Sequence, residues 1–391
     1  MDATSPKVAI TGVSAVVPGY GAVGAEFGEL VPSEEIVAGV RPARGGDLPA
    51  TFLRDKLGIA SVATTHATAR FARTAIDRGL DWAKADELPR PATNPDVLTM
   101  LTRAMEIALV RHEEVVGGPV DRAGAIAGHL HVASGADNAA AYGLPVCRRA
   151  VGCHKPGLPM EFMVSGCAGL FYALRHAGFL LQHTDARHDP DAYVLITAAN
   201  DMLPLAHGRA KAPDERREEL DDWLFPTIFG EAVGALVVGH ATDRAGWAVV
   251  DMAWQTAADD WRVTFDHADT PRMVIRARGV GSTFRENVPD AARRGLRALG
   301  LTEFDELHRL CVHESNPNLV AAAAQELDVP AGLVHSVSAE VGTLAGVSAF
   351  SLLEEAFASH HPDGKDGVVA ALIGETGHAV VVGHLALRHH A

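Results

Sequence analysis

Of the 4 cysteines in this 391-residue chain, one stands where a sequence would place a nucleophile. Cys167 lies in "VSGCAGLFYALRHAGFLL", between Gly166 and Gly169. Directly after it, apolar residues recur at Leu170, Phe171, Leu174, Ala177 and Leu181, the spacing of a buried helix. A thiol at the start of such a helix has a lowered pKa, because the unpaired N–H groups there favour the thiolate. Gly166 and Gly169 permit a tight turn and close approach of backbone. On residue types alone the segment suits either a nucleophile or a small core residue. Metal chemistry has weaker support. His129 and His131 alternate on one strand and share a face, but no third ligand has a convincing spacing. Cys153-His154 has the same weakness, so no metal site is expected.

The elements that must position Cys167 follow from pattern. "KVAITGVSAVV" (7–17), "AGAIAGHLHVAS" and "AYVLITAAND" (192–201) read as strands. "TNPDVLTMLTRAMEIALVRH" (93–112) opens on a cap-like Asn94-Pro95-Asp96 and continues at helical spacing. "ALVVGHATDRAGWAVVDMAW" looks like two strands joined by a turn. The second half repeats the theme: a helix over 287–301, the strand "LHRLCVHES", the helix "NLVAAAAQELDVP", and two closing strands in "GVVAALIGETGHAVVVGHLAL". Cys311 is expected to pack within its strand. Alternation of this kind predicts a layered α/β fold with an internal duplication, divided as 1–250 and 251–391.

Composition bounds the partners. With 48% hydrophobic residues the chain can bury a large core, and its net charge of −15 excludes a basic nucleic-acid footprint. No apolar run reaches the ~18 residues of a membrane span, and no secretory leader is visible. The cysteines form no close-set framework, which predicts a reducing, cytoplasmic compartment. The charge-dense stretch 208–223 reads as a solvated loop or exposed helix, or as a lid or docking surface.

"SGCAGLFYAL" resembles the nucleophile segment of the β-ketoacyl-acyl-carrier-protein synthase III (KAS III) family of the thiolase superfamily. Other segments resemble that family in the same order: "VAITGVSAVVP" its first strand, "FLRDKLGIASVA" its Leu-Gly-Ile turn, "FGEAVGALVVG" its "FGDGAGAVVL" hairpin, and "VHESNPNLVAAAAQELDVP" its "HQAN" segment. Together they cover nearly the whole chain. The resemblance implies a thiolase-like five-layered α-β-α-β-α fold of two duplicated halves, an active site at their interface, and a homodimer. It implies that Cys167 takes an acyl group from coenzyme A or an acyl-carrier protein. A thiolate attacks a thioester well, and the product thioester stays reactive. His313 matches the family's histidine, a base or hydrogen-bond donor. The oxyanion would be held by the Cys167 amide and a glycine amide in "IGETGH", Gly377 being chosen over Gly374. Asn316 of "VHESNPN" and His131 would touch substrate. No resident cofactor is implied, since phosphopantetheine arrives as substrate.

One departure stands out. The family's "GNTSAAS" asparagine has no match in "AEVGTLAGVSAF": alignment on Thr343 leaves Gly342 at that position. Losing one of two donors to a malonyl thioester costs on the order of a hundredfold in rate. Glu340 could instead orient His313, as carboxylates do in triads; Glu314, adjacent on a strand, points to the opposite face. Three functions follow: acyl transfer from Cys167 to a hydroxyl, amine or carrier thiol in specialised metabolism; decarboxylative condensation with an altered third residue; or a non-catalytic partner subunit. Arg209, Lys211, Arg216 and Arg217 form a candidate carrier-docking patch on an otherwise acidic chain.

Overall fold

The structure, a computed structural model, describes residues 8–38, 49–70, 94–133, 139–164, 166–183, 185–201, 228–241, 246–258, 264–266, 272–274, 277–313, 316–330, 332–358, 365–375 and 380–390. In chain order its strands are β1 (Val8–Val16), β2 (Gly28–Pro32), β3 (Ser61–Thr65), β4 (Ile126–Ala133), β5 (Met160–Val164), β6 (Tyr193–Asn200), β7 (Ala232–His240), β8 (Gly246–Ala258), β9 (Thr264–Asp266), β10 (Arg272–Val274), β11 (Arg309–Val312), β12 (Gly367–Glu375) and β13 (Val380–His390). The longer helices are α1 (Pro95–Val116), α2 (Ala139–Ala150), α3 (Gly169–His183), α4 (Ala277–Ala298), α5 (Pro317–Glu326) and α6 (Ser348–Ala358).

Helix α1 starts where its sequence signals. The Asn94 side chain accepts from the Asp96 N–H, Pro95 sits in the first turn, and Gly117 ends the helix in the left-handed region at φ 87°. Its buried stripe, from Val97 through Met105 to Leu109, packs on β1 and β7. Strand β1 is buried on both faces apart from Ala15, so it requires a layer on each side.

Nine strands form one sheet in the order β11-β12-β13-β8-β1-β7-β6-β4-β5. Its two parts repeat one topology. In the first, β1 pairs antiparallel with β7, β7 antiparallel with β6, and β6 parallel with β4. In the second, β8 pairs antiparallel with β13, β13 antiparallel with β12, and β12 parallel with β11. The first part adds β5, parallel to β4; the second retains at that place an isolated parallel bridge, Leu310 to Val334. The parts meet through Ala9 opposite Ala248 and Ile10 opposite Trp247.

Three cores sort the elements into five layers. One packs α1 and α2 on the outer face of the first part, and another packs α4 and α5 on the outer face of the second. Between them α3 and α6 share a core with the inner faces of both parts, including Leu130, Ile196, Leu236, Val368, Leu372 and Leu385. The order is therefore α-β-α-β-α.

Two expected features find their places in this topology. The segment read as a strand-turn-strand holds β7 and β8, but β7 pairs with β1 and β6 while β8 pairs with β13 and β1. A division at 250/251 also cuts through β8; the change of half falls between His240 and Gly246.

Candidate active site

Cys167 is central to a three-residue 3-10 turn, Gly166–Ala168, that leads into α3. Gly166 takes φ 51°, a conformation that suits glycine. Cys167 is half-buried, whereas Cys147, Cys153 and Cys311 are buried. Burial pushes the Cys147 and Cys153 thiols up, away from the thiolate. Cys167 is thus the cysteine that a substrate can reach.

Strand β12 crosses directly over this turn. A Cβ at Gly374 would lie 2.2 Å from the Ala168 nitrogen, 2.6 Å from the Cys167 carbonyl carbon and 2.8 Å from its Cβ. Only a glycine lets the second half's strand lie so close to the first half's nucleophile turn. The glycine brought against Cys167 is therefore Gly374; Gly377 lies outside the described residues.

His313 follows β11 and is 4% exposed. Its N–H donates to the Ala371 carbonyl at 3.0 Å. Ala371 and Gly374 are three residues apart on β12, about 10 Å along the strand at ~3.3 Å per residue. The histidine and the cysteine thus converge on one end of the sheet from different halves. Burial lowers the imidazole pKa to about 4, and Nδ1 is buried with no hydrogen-bond partner among the described residues. The ring is neutral at pH 7, so it can accept a proton or donate from one nitrogen.

The turn holding Gly342 and Thr343 completes the surroundings. The 3-10 turn Ala345–Val347 that follows it packs on Gly166–Ala168. Gly342 has φ 76° and ψ −173°, a region essentially restricted to glycine. A Cβ there would meet the Ile228 carbonyl oxygen at 2.6 Å. Thr343 is buried; its N–H donates to Ile228 O at 2.8 Å, and its carbonyl accepts from Gly230 N at 3.0 Å. Position 342 accordingly provides no side chain to a substrate and has no room for one.

The structure places three further expected site residues as follows. Glu340 is exposed, whereas His313 is buried, and no hydrogen bond joins them among the described residues; the Glu340 carbonyl accepts instead from the Ser61 hydroxyl. Asn316 caps α5, its side-chain oxygen accepting the Leu319 N–H at 3.0 Å. His131 faces the outer layer. Its neighbours Leu130 and Val132 point into the core shared with α3, so His129 and His131 point away from it. Both share the Thr197 hydroxyl, at 2.9 and 2.8 Å, and His131 stacks on Phe162. Burial lowers the His131 pKa to about 3 and that of His129 well below its usual value. Among the described residues no cluster of ligating side chains could hold a metal ion. Glu314 and the 208–223 stretch, with its Arg/Lys patch, lie outside the described residues.

One functional-grade cluster escaped sequence reasoning. Glu231, inside the apolar "FGEAVGALVVG", is 1% exposed and receives hydrogen bonds from Thr65, Thr68 and Asn94. A lone acid at the head of a buried apolar strand was the available signal.

Comparisons with known proteins agree with this architecture. No protein-family model matches the chain. A 1,3,6,8-tetrahydroxynaphthalene synthase of Streptomyces peucetius subsp. caesius is 26% identical over 297 residues, 68% of this chain and 71% of the relative. Among solved structures, the 3-oxoacyl-(acyl carrier protein) synthase III FabH of Pseudomonas aeruginosa PAO1 matches with a TM-score of 0.65 and 16% identity, covering 98% of each chain. OleA of Xanthomonas campestris, with bound lauric acid and lauroyl-CoA, matches with a TM-score of 0.67 and 16% identity, covering 98% of this chain and 99% of its own. No helix among the described residues is long and apolar enough to cross a membrane. This chain has the thiolase-like fold of FabH and OleA.

Proposed function

We propose that this chain is a KAS III-like acyltransferase, working through an acyl-Cys167 intermediate. The observation that carries the proposal is the half-buried Cys167 on a glycine-started turn, overlaid by Gly374 and sharing its end of the sheet with neutral His313. The Cys167 thiolate attacks the thioester carbonyl of acyl-coenzyme A or an acyl-carrier protein. The donor's thiolate leaves and takes up a proton. The Cys167 N–H, at the turn before α3, is the candidate donor to the oxyanion. His313 then accepts the proton of an incoming hydroxyl, amine or carrier thiol as the acyl group moves on. The phosphopantetheine thioester is substrate, and no resident cofactor is needed for these steps. The fold shared with OleA, crystallised with lauroyl-CoA, is consistent with an acyl-thioester donor. A role in specialised metabolism accords with the similarity to a tetrahydroxynaphthalene synthase.

A second reading, decarboxylative condensation, is favoured by one observation. The backbone at Gly342 fits the glycine of "GNTSAAS" rather than its asparagine, which moves the register by one and puts Thr343 in the asparagine's place. A hydroxyl there would offer a single donor where the family has a carboxamide. A second copy of the chain would find a docking edge at β5, the last strand of the sheet, where Met160 and Phe162 are exposed. The test is incubation with a panel of acyl thioesters, with and without malonyl thioester, read by intact mass and carbon dioxide release. A Cys167-dependent adduct with no decarboxylation supports transfer. Carbon dioxide with a chain-extended product overturns it in favour of condensation, and no adduct with any donor removes both.

A further inference from the structure

Glu231 lies one residue before β7, between the cap of outer helix α1 and the Gly342–Thr343 turn, which leads into the Ala345–Val347 turn packed on Gly166–Ala168. Its Oε2 accepts the Thr65 N–H at 2.6 Å; its Oε1 accepts the Thr68 hydroxyl at 2.8 Å and Asn94 Nδ2 at 3.2 Å. These donors come from the end of β3, the following segment 66–70 and the cap of α1. The same stretch reaches the active site through its backbone. Glu231 N donates to Ala63 O, and Gly230 N to Thr343 O. Asn200 Nδ2, at the end of β6, donates to Gly230 O at 2.6 Å.

The donor count favours a charged carboxylate. Among the described residues, the Thr65 N–H and the Asn94 amide carry hydrogens fixed on nitrogen, whereas the Thr68 and Thr65 hydroxyls can each turn. If Glu231 took up a proton and gave it to Thr68, the Thr68 hydrogen would turn toward Thr65 Oγ1, 3.2 Å away. That oxygen already accepts from Thr68 N at 3.3 Å and lies 3.2 Å from Asn94 Nδ2, whose two hydrogens are shared among it, Glu231 Oε1 and Asp201 Oδ1, each at 3.2 Å. The ionised carboxylate is therefore the form to which all of these donors can point at once.

We propose that Glu231 is a positioning residue, whose ionised carboxylate ties β3 and the cap of α1 to the 228–231 segment and so holds the Gly342–Thr343 turn in the arrangement that receives the acyl thioester. This rests on the proposed acylation of Cys167. Burial first, and the charge of Asp201 second, push the Glu231 pKa up to about 7, while the Thr65 and Thr68 hydrogen bonds pull it down. The switch is thus set near neutrality. Other ionisable groups on the surrounding elements are Asp201 after β6, Asp96 in the first turn of α1, Glu29 on β2, and the exposed His66 and Arg70.

The sign of the effect separates this role from a structural one. Between its ordinary 4.5 and about 7, Glu231 keeps in the folded chain a proton that the unfolded chain has lost. Its contribution to stability is therefore present at low pH and lost as pH rises through about 7, whereas acylation gains over the same range. The experiment follows Cys167 acylation by acetyl-, octanoyl- and lauroyl-coenzyme A from pH 5.5 to 8.5 in the full chain, Glu231→Gln and Thr68→Val, with iodoacetamide alkylation of Cys167 and thermal unfolding alongside. The half-saturating donor concentration of the wild type should rise about tenfold as pH falls from 8 to 6. Glu231→Gln should hold the raised value at every pH, and Thr68→Val should move the midpoint upward. Alkylation by the small reagent should keep one pH profile in all three proteins. A Glu231→Gln enzyme that retains the wild-type pH dependence overturns the proposal, as does alkylation slowed by the same factor as acylation. A wild type that no donor acylates overturns the acyl-transfer reading itself, and this inference with it.

Discussion

The nucleophile turn has a twin. Gly166–Ala168 precedes central helix α3, and Ala345–Val347 precedes central helix α6, at matching places in the two repeated topologies. The first residue of each is left-handed, Gly166 at φ 51° and Ala345 at φ 48°. Each turn is packed by the other part's strand: β12 lies over the first and β6 against the second. Yet the middle residues differ. Cys167 is half-buried, while Gly346 is buried in the core. Duplication supplied one backbone device twice. In the proposed function, chemistry belongs to the copy that has both a thiol and exposure to solvent, and the other copy serves as the wall behind it.

The largest effect should come from exchanging the middle residues. Cys167→Ala should abolish acylation, a loss of at least about a thousandfold, because no other group in the turn can form the acyl adduct. Adding Gly346→Cys to that variant should not restore it, read by intact mass, because the second turn is closed to a thioester. An adduct at residue 346 would mean that access, and not residue type alone, had been misjudged.

Next comes the strand that lies over the turn. Gly374→Ala forces a methyl to within 2.2 Å of the Ala168 nitrogen. Overpacking of this kind costs about 1–3 kcal/mol, and both β12 and the nucleophile turn must shift to relieve it. A displacement near 1 Å at a nucleophile costs on the order of a hundredfold in rate, so acylation should fall by about that factor. Unchanged acylation would show that β12 yields rather than the turn.

His313 distinguishes the halves by pH. Its pKa falls from 6.5 unfolded to about 4 folded, because burial penalises the imidazolium. A depressed histidine contributes stability that is present above the unfolded pKa and lost as pH falls through 6.5 toward 4. The loss is about 3 kcal/mol at ~1.4 kcal/mol per unit. In urea titrations, His313→Asn should lose stability less steeply than the wild type across that window. Equal slopes would mean that the imidazole is charged in the folded chain.

How much of this was legible depended on distance along the chain. A layered α/β fold followed from alternating periods, whereas the glycines and helical spacing around Cys167 suited a nucleophile or a core residue equally, and the resemblance decided between them. Bringing Gly374 against Cys167 needed the register of β12 over a turn some 200 residues earlier, which no local pattern encodes. His131 was misread because alternation fixes which residues share a face, but not which layer that face meets. Glu340 was placed near His313 by motif proximity, whereas its short helix turns the residue to solvent. Glu231 was missed because its three donors come from Thr65, Thr68 and Asn94, none of them near it in sequence.

The smallest effect tests whether the two turns are equivalent in backbone. A left-handed conformation costs an L-residue roughly 1–2 kcal/mol, and Ala345 bears that strain at φ 48°. Ala345→Gly removes it but adds about 0.4–1 kcal/mol of unfolded-chain entropy. It also gives up a buried methyl, worth about 0.8 kcal/mol. These terms nearly cancel, so the variant should unfold within about 0.5 kcal/mol of the wild type. Gly166→Ala, the reverse exchange at the same φ, should lose about 1 kcal/mol net, because the strain enters while the methyl gains little in a turn already overlaid by β12. If Gly166→Ala were as stable as the wild type, the two turns would differ in backbone freedom as well as in side chain. The nucleophile turn would then owe its shape to the strand above it rather than to its own glycine.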